Sequence, residues 1–96
     1  MTAVYVYGVA PAAEKVDVDA PGVESSKEGV RRIVHGDLAA LVSDVESGPM
    51  VAARGLRAHW RVLEEAVATA TVLPVRFGTV MESEDAVVDQ FLTPRH

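Results

Sequence analysis

The sequence predicts an α+β fold: a two-layer sandwich with a mainly antiparallel four-stranded sheet and two helices, in the order β-β-β-α-β-α. Three observations predict it. Short runs rich in valine and isoleucine occupy Val4–Val9, Val30–His35 and Leu38–Val45, the composition and length of strands. Gly36-Asp37 separates the second and third runs by two residues with glycine first, the signature of a tight antiparallel hairpin of the type II′ class. A helix-periodic segment then follows at residues 54–70, and strands gathered before helices indicate helices packed on a face of an antiparallel sheet.

Each element has its own justification. In the first strand Val4 and Val6 share one face, while Tyr5, Tyr7 and Val9 share the other. Gly8 and Pro11 end it. Residues 10–27 read as a long connector with a turn at Pro21-Gly22. In the third strand Ala39, Leu41 and Val45 line one face, and Leu38, Ala40 and Val42 the other. Both faces are apolar, so this strand is expected inside the sheet and covered on both sides. Ser47-Gly48-Pro49 closes it. In the helix, Leu56, His59, Trp60, Val62, Leu63, Ala66, Val67 and Ala70 fall on one broad stripe, expected to dock on the sheet. Arg54, Arg57, Arg61, Glu64 and Glu65 lie opposite. A second helix is expected at about 83–92. Ser83 is its N-cap, Glu84 and Asp85 suit the positive end of its dipole, and Ala86, Val87, Phe91 and Leu92 form its buried side.

Between the helices lies Val72-Leu73-Pro74-Val75-Arg76-Phe77-Gly78-Thr79-Val80-Met81, which reads as a strand. It breaks several strand rules at once. Proline removes a ladder donor and belongs on an edge or at a bulge. Gly78 is expected where another backbone comes close. Arg76, set between Val75 and Phe77, needs an anion, a carboxylate or water on its side of the sheet. It is either a structural ion pair with a neighbouring element or a contact for a partner or ligand.

Composition narrows the function. Ninety-six residues make one small domain. The net charge is -5, which argues against a general nucleic-acid binder. The positive charge concentrates in residues 54–76, where four arginines meet two glutamates. A locally basic face on an acidic chain suggests a specific acidic partner. Cysteine is absent, so neither a disulfide framework nor a thiolate metal site is expected. The first residues have no basic segment ahead of their apolar run, unlike a signal peptide. No apolar stretch approaches the about 18 residues of a membrane span. The expectation is a soluble, cytoplasmic protein.

Catalytic chemistry is not visible. No serine sits in a Gly-x-Ser-x-Gly setting. His35, His59 and His96 do not share helical ligand spacing. His59 reads as a packed histidine with one hydrogen-bond partner, and His35 as solvated. Glu64-Glu65 and Glu84-Asp85 are sequence neighbours on helices, which do not face each other. No Gly-x-Gly-x-x-Gly or Walker pattern occurs. Tyr5 and Tyr7 lack surrounding lysines, so packing is favoured over base stacking. No catalytic, cofactor-binding or metal-binding residue is therefore expected. The candidate partner contacts are Arg57, Arg61 and Arg76.

Four segments occur in a telling order: Tyr5-Val6-Tyr7-Gly8-Val9, Gly36-Asp37-Leu38-Ala39-Ala40-Leu41-Val42-Ser43, His59-Trp60-Arg61-Val62-Leu63-Glu64, and Thr71-Val72-Leu73-Pro74-Val75-Arg76-Phe77-Gly78-Thr79-Val80. Together they resemble the N-terminal domain of the gas vesicle protein F/L family, over nearly the whole chain. The Leu-Pro-Val-Arg-Phe-Gly-Thr run is the most specific. The resemblance implies a non-enzymatic gas vesicle protein of the cytoplasm, without cofactor, acting in vesicle assembly. It further implies a minor vesicle component that binds the small hydrophobic shell protein and other gas vesicle proteins, and limits shell-protein aggregation. Family members normally carry a second, C-terminal domain, which this sequence does not show; residues 1–96 are expected to form a single domain. The alternative is a ferredoxin-like regulatory domain binding a small molecule or anion, with Arg76 and Gly78 as its cradle.

Overall fold

A computed structural model describes residues 3–16, 18, 29–45 and 55–93. The turns expected at Pro21-Gly22 and Ser47-Gly48-Pro49, and residues Arg54 and His96, lie outside them. The elements are β1 (Ala3–Pro11), β2 (Arg31–His35), β3 (Leu38–Val45), α1 (Gly55–Thr69), β4 (Leu73–Pro74), β5 (Val80–Met81) and α2 (Glu84–Val87), which runs on into a π-helical stretch, Val88–Leu92. The class is α+β with an antiparallel sheet, as expected. The sheet order is β2-β3-β1-β4, with β5 also paired to β1.

The β2–β3 hairpin turns on Gly36, at φ +60°, the positive angle that a two-residue primed turn requires. His35 pairs with Leu38 across it. β3 is interior, and Ala39 through Ser43 are all buried. β1 is interior as well, with β3 on one side and both late strands on the other.

A register shift between Val6 and Gly8 leaves Tyr7 as an extra residue on β1, a bulge that changes the phase of the strand. Tyr5 and Tyr7 join Leu41, Val45, Val62, Leu63 and Ala66 in the core beneath α1. Val4 and Val6 join Ile33, Ala40, Val42, Val87 and Leu92 beneath α2 and its π-helical continuation. Strict alternation placed Val9 with the tyrosines. The bulge moves it to the other side, where it packs against the Val4 cluster. The two helices thus cover opposite faces of the sheet, so the second helix adds a layer of its own instead of sharing one with α1. That second core is possible because β3 is apolar on both faces.

The late strand departs most from expectation. It is not continuous over Val72–Met81. β4 pairs Leu73 and Pro74 with Val9 and Gly8, and β5 pairs Val80 and Met81 with Tyr5 and Val4. Residues 75–79 therefore lie opposite only Val6 and Tyr7, and the surplus chain loops outward. Arg76 through Thr79 form a turn closed by Thr79 N–H donating to the Arg76 carbonyl at 3.3 Å. Gly78, third in the turn, has φ +89°, the geometry of a type II turn. A Cβ on Gly78 would meet nothing within 4 Å, so the glycine is needed for its backbone angle and not for close approach.

Close approach belongs to Gly8. A Cβ there would lie 2.8 Å from Val72 Cγ1 and 2.9 Å from the Leu73 carbonyl oxygen. β4 crosses β1 where β1 has no side chain to hold it off.

The remaining ties are local. Ser83 caps α2, its hydroxyl accepting from Ala86 N–H at 3.2 Å. Arg31 donates to both Asp44 carboxylate oxygens, at 3.2 and 2.9 Å, and also pairs with Glu84. One guanidinium thereby joins β2, β3 and α2, with the bidentate geometry that suits arginine. Its partners hold the Arg31 pKa above its ordinary value, the Asp44 hydrogen bond most of all.

Gly8→Ala is expected to destabilise the fold by about 1–3 kcal/mol, because the Leu73 carbonyl is backbone and cannot swing aside. Denaturant titration reads this; a midpoint unchanged from wild type would contradict the close approach.

Candidate functional site

The 75–79 loop is positioned by buried polar groups on two other elements. Tyr5, on β1, and His59, on α1, are 0% and 1% exposed. The Tyr5 hydroxyl lies 2.9 Å from His59 Nδ1 and accepts from Gly78 N–H at 2.9 Å. Its single proton then points to the imidazole. His59 also donates to the Val75 carbonyl, which assigns the ring proton to Nε2. Val75 N–H in turn donates to the Tyr7 carbonyl at 2.8 Å. Helix, central strand and both ends of the loop meet at one neutral Tyr5–His59 pair. The sequence reading gave His59 a single partner; it has two.

The cluster continues inward. Tyr7 donates to Ser43 Oγ at 2.9 Å, and Ser43 Oγ donates to the Gly29 carbonyl at 2.8 Å. Tyr5 and Phe77 approach His59 edge-on, with ring centroids 5.7 and 5.6 Å away. Burial pushes the Tyr5 phenol up to about 12, partly offset by the Gly78 hydrogen bond. Burial lowers His59 below its ordinary 6.5, partly offset by the bond to Val75. Both shifts favour the neutral, mutually hydrogen-bonded pair.

This cluster faces inward and presents no reactive group to solvent. Arg76 does the opposite. It is exposed, and its carbonyl, not its guanidinium, holds the turn, accepting from Thr79 N–H and from Thr79 Oγ1 at 2.7 Å. Among the described residues Arg76 has no ion-pair partner, so the structural ion-pair alternative is not what the described residues show. It lines a groove of about 500 Å³ with Val9, Leu38, Leu73 and Phe91, among others. That groove does not include His59.

Of the other arginines, Arg57 is exposed, and Arg61 donates to Glu65 at 3.4 Å one helical turn away. The three candidate contacts do not converge on one pocket: Arg57 and Arg61 lie on α1, whereas Arg76 lines the groove with Val9 and Phe91. The structure also leaves out part of the apolar stripe expected to dock. His59, Val62, Leu63 and Ala66 are buried, but Leu56, Trp60 and Val67 remain open to solvent. The stripe is wider than the sheet can cover. Among the described residues no cluster of three or more histidine or carboxylate side chains could hold a metal, and no helix is long and apolar enough to cross a membrane.

Comparisons with known proteins decide the family. The model of the gas vesicle synthesis protein GvpL/GvpF family matches residues 3–96. The chain belongs to this family. It is 41% identical over 85 residues to a Streptomyces protein described as gas vesicle protein F, a match covering 88% of this chain and 36% of that one. It also resembles the crystal structure of the gas vesicle protein GvpF from an Anabaena species, with a TM-score of 0.71 and 26% identity over 96% of this chain and 39% of that one. The chain thus spans well under half the length of these relatives. The family assignment and the α+β fold agree with the resemblance read from the sequence.

Stability should carry the signature of the buried pair. His59 is held below 6.5 when folded, so the unfolded chain binds more protons at mildly acidic pH. Its contribution is complete above 6.5 and declines as the pH falls below that value toward the folded pKa. Tyr5 is raised from 10.0 to about 12, so its contribution is complete below 10 and is lost as pH rises through about 12. Urea titrations across pH read both limbs. Tyr5→Phe should weaken the alkaline limb and lower stability by about 1–3 kcal/mol per polar group left without a partner. A Tyr5→Phe variant as stable as wild type at neutral pH would contradict the network.

Proposed function

We propose that this domain is a non-enzymatic gas vesicle assembly module. It acts on the cytoplasmic side as a minor vesicle component, binding the small hydrophobic shell protein and limiting its aggregation. The observation that carries the reading is membership of the gas vesicle synthesis protein GvpL/GvpF family over residues 3–96. The absence of a nucleophile motif or paired acid and base from the sequence supports a binding role. The exposed Arg57 and Arg76, without ion-pair partners among the described residues, are candidate basic contacts on separate elements, with Arg61 one turn from Arg57 on α1.

The anion-cradle alternative draws less support. A cradle needs free backbone donors, yet Gly78 N–H is given to Tyr5 and Thr79 N–H to the Arg76 carbonyl. Both of these amides are already engaged, which leaves the exposed Arg76 guanidinium without backbone donors from Gly78 or Thr79 to share an anion with.

A pull-down with the shell protein tests the assembly reading. Wild type should capture it, while Arg76→Ala and the double variant Arg57→Ala/Arg61→Ala should each weaken capture several-fold, since all three side chains are exposed and their loss leaves the core intact. Unchanged capture by both folded variants would remove the arginines from the contact. Absence of capture by wild type would count against shell-protein binding itself.

A further inference from the structure

The groove that Arg76 lines is built on the α2 side of the sheet. Val9, Val75 and Phe91 line it and also pack against the core that holds Val4, Val6, Val87 and Leu92. Val9 is available here because the bulge at Tyr7 turned it to this face. Leu38 from β3 and Leu73 from β4 add apolar surface that is 36% and 70% exposed. A groove of about 500 Å³ falls within the range of small-molecule sites, about 300–1,000 Å³, which are mostly apolar with few polar groups to fix orientation. Arg76 is the only charged residue among the described residues that line it. The groove between α1 and β4 has Glu64 instead.

Polar recognition in the Arg76 groove falls to one side chain. Val75 N–H is donated to the Tyr7 carbonyl and Thr79 N–H to the Arg76 carbonyl. The Thr79 hydroxyl also donates to the Arg76 carbonyl, and Pro74 has no N–H. The Arg76 guanidinium is exposed and has no ion-pair partner among the described residues. A guanidinium can hold a carboxylate through two parallel N–H···O bonds. The edge beside the groove cannot supply a backbone ladder. Val75 N–H points to β1, so by alternation the Pro74 nitrogen points outward, where it denies an incoming strand its donor. A peptide backbone laid along this edge would therefore lack its partners. A ligand with one anionic group and an otherwise apolar body asks for nothing the groove lacks. The loop is also fixed in advance, because Tyr5 and His59 hold Gly78 and Val75 from beneath. Little of its backbone remains to be ordered on binding.

We propose that this groove binds a medium-chain monocarboxylate, its carboxylate paired with Arg76 and its hydrocarbon chain laid over Val9, Leu73 and Phe91. Both halves of the ligand are required. A bare anion meets one exposed cation without the help of the Gly78 or Thr79 amides, and an amphiphile of positive charge meets the wrong sign. The site goes beyond the assembly reading and does not depend on it.

Amide chemical-shift titration tests the proposal, with octanoate, acetate and octylammonium as probes. Octanoate should shift the Val9, Leu73, Val75 and Thr79 amides along one saturable curve. Acetate lacks the apolar body and octylammonium has the opposite charge, so each should bind at least about tenfold more weakly. Arg76→Gln should weaken octanoate about tenfold and leave octylammonium unchanged. The variant keeps its fold because the Arg76 carbonyl, not its guanidinium, closes the turn. No saturable shift with octanoate would overturn the proposal. So would equal affinity for octanoate and octylammonium, which would mean apolar partition alone, or acetate binding as well as octanoate, which would mean a surface anion contact alone. Octanoate shifting Trp60 and Val67, in the groove beside Glu64, as strongly as Val75 and Thr79 would also overturn it.

Discussion

A neutral imidazole holds three separate pieces of this fold together. His59 accepts from Tyr5 on the central strand and donates to Val75 at the start of the outward loop. Tyr5 in turn accepts from Gly78 at the loop's end. Polar groups this deeply buried are stable only when each donor and acceptor is met, and here each choice constrains the next. The proton on Nε2 goes to Val75, Nδ1 must accept, and Tyr5 must donate. The network rigidifies what would otherwise be a five-residue excursion from a broken edge strand. Its product is positional: an arginine is displayed at the surface by residues that never reach the surface.

The backbone prepares that arrangement. The bulge at Tyr7 keeps both tyrosines under α1 while turning Val9 to the opposite core. Gly8 admits β4 at a distance no side chain would permit. Pro74 then closes the edge to further strands, and the type II turn at Gly78 returns the chain to β5. Each exception to strand rules in this region has an identifiable job. Apolar burial supplies the bulk of the stability, with side chains such as Val62 and Leu63 each worth about 1.5–3 kcal/mol. The exceptions decide what the surface shows.

Much of this was legible in residue patterns. The hairpin at Gly36, the doubly covered β3, the α1 boundaries and the Ser83 cap all follow from local chemistry, and the family resemblance from an ordered set of short segments. What escaped was non-local. A bulge has no signal in alternation, so Val9 was assigned to the wrong face. The helices were placed in one layer because periodicity shows that a stripe is apolar, not which face of the sheet receives it. Gly8 was read as ending the first strand and Gly78 as the point of close approach; instead β1 runs through Gly8, which takes the close approach to Val72 and Leu73, and Gly78 supplies the positive φ of a turn that a reading as continuous strand hides. For the site, Arg76 stood out by its apolar neighbours, and its exposure follows from the loop they form. The exposed Trp60 shoulder was read as core, because an apolar stripe looks the same in sequence whether or not the sheet is wide enough to cover it.

The central claim is that buried side chains on β1 and α1, and not the turn itself, hold the Arg76 loop in place. Amide hydrogen exchange of Gly78 tests this most directly. Gly78 N–H is bonded only to the Tyr5 hydroxyl in this arrangement, so it should exchange at a rate comparable to the core amides of β1 and β3, through global opening. Exchange at the rate of an unprotected loop amide, with the β1 and β3 amides still slow, would contradict the account.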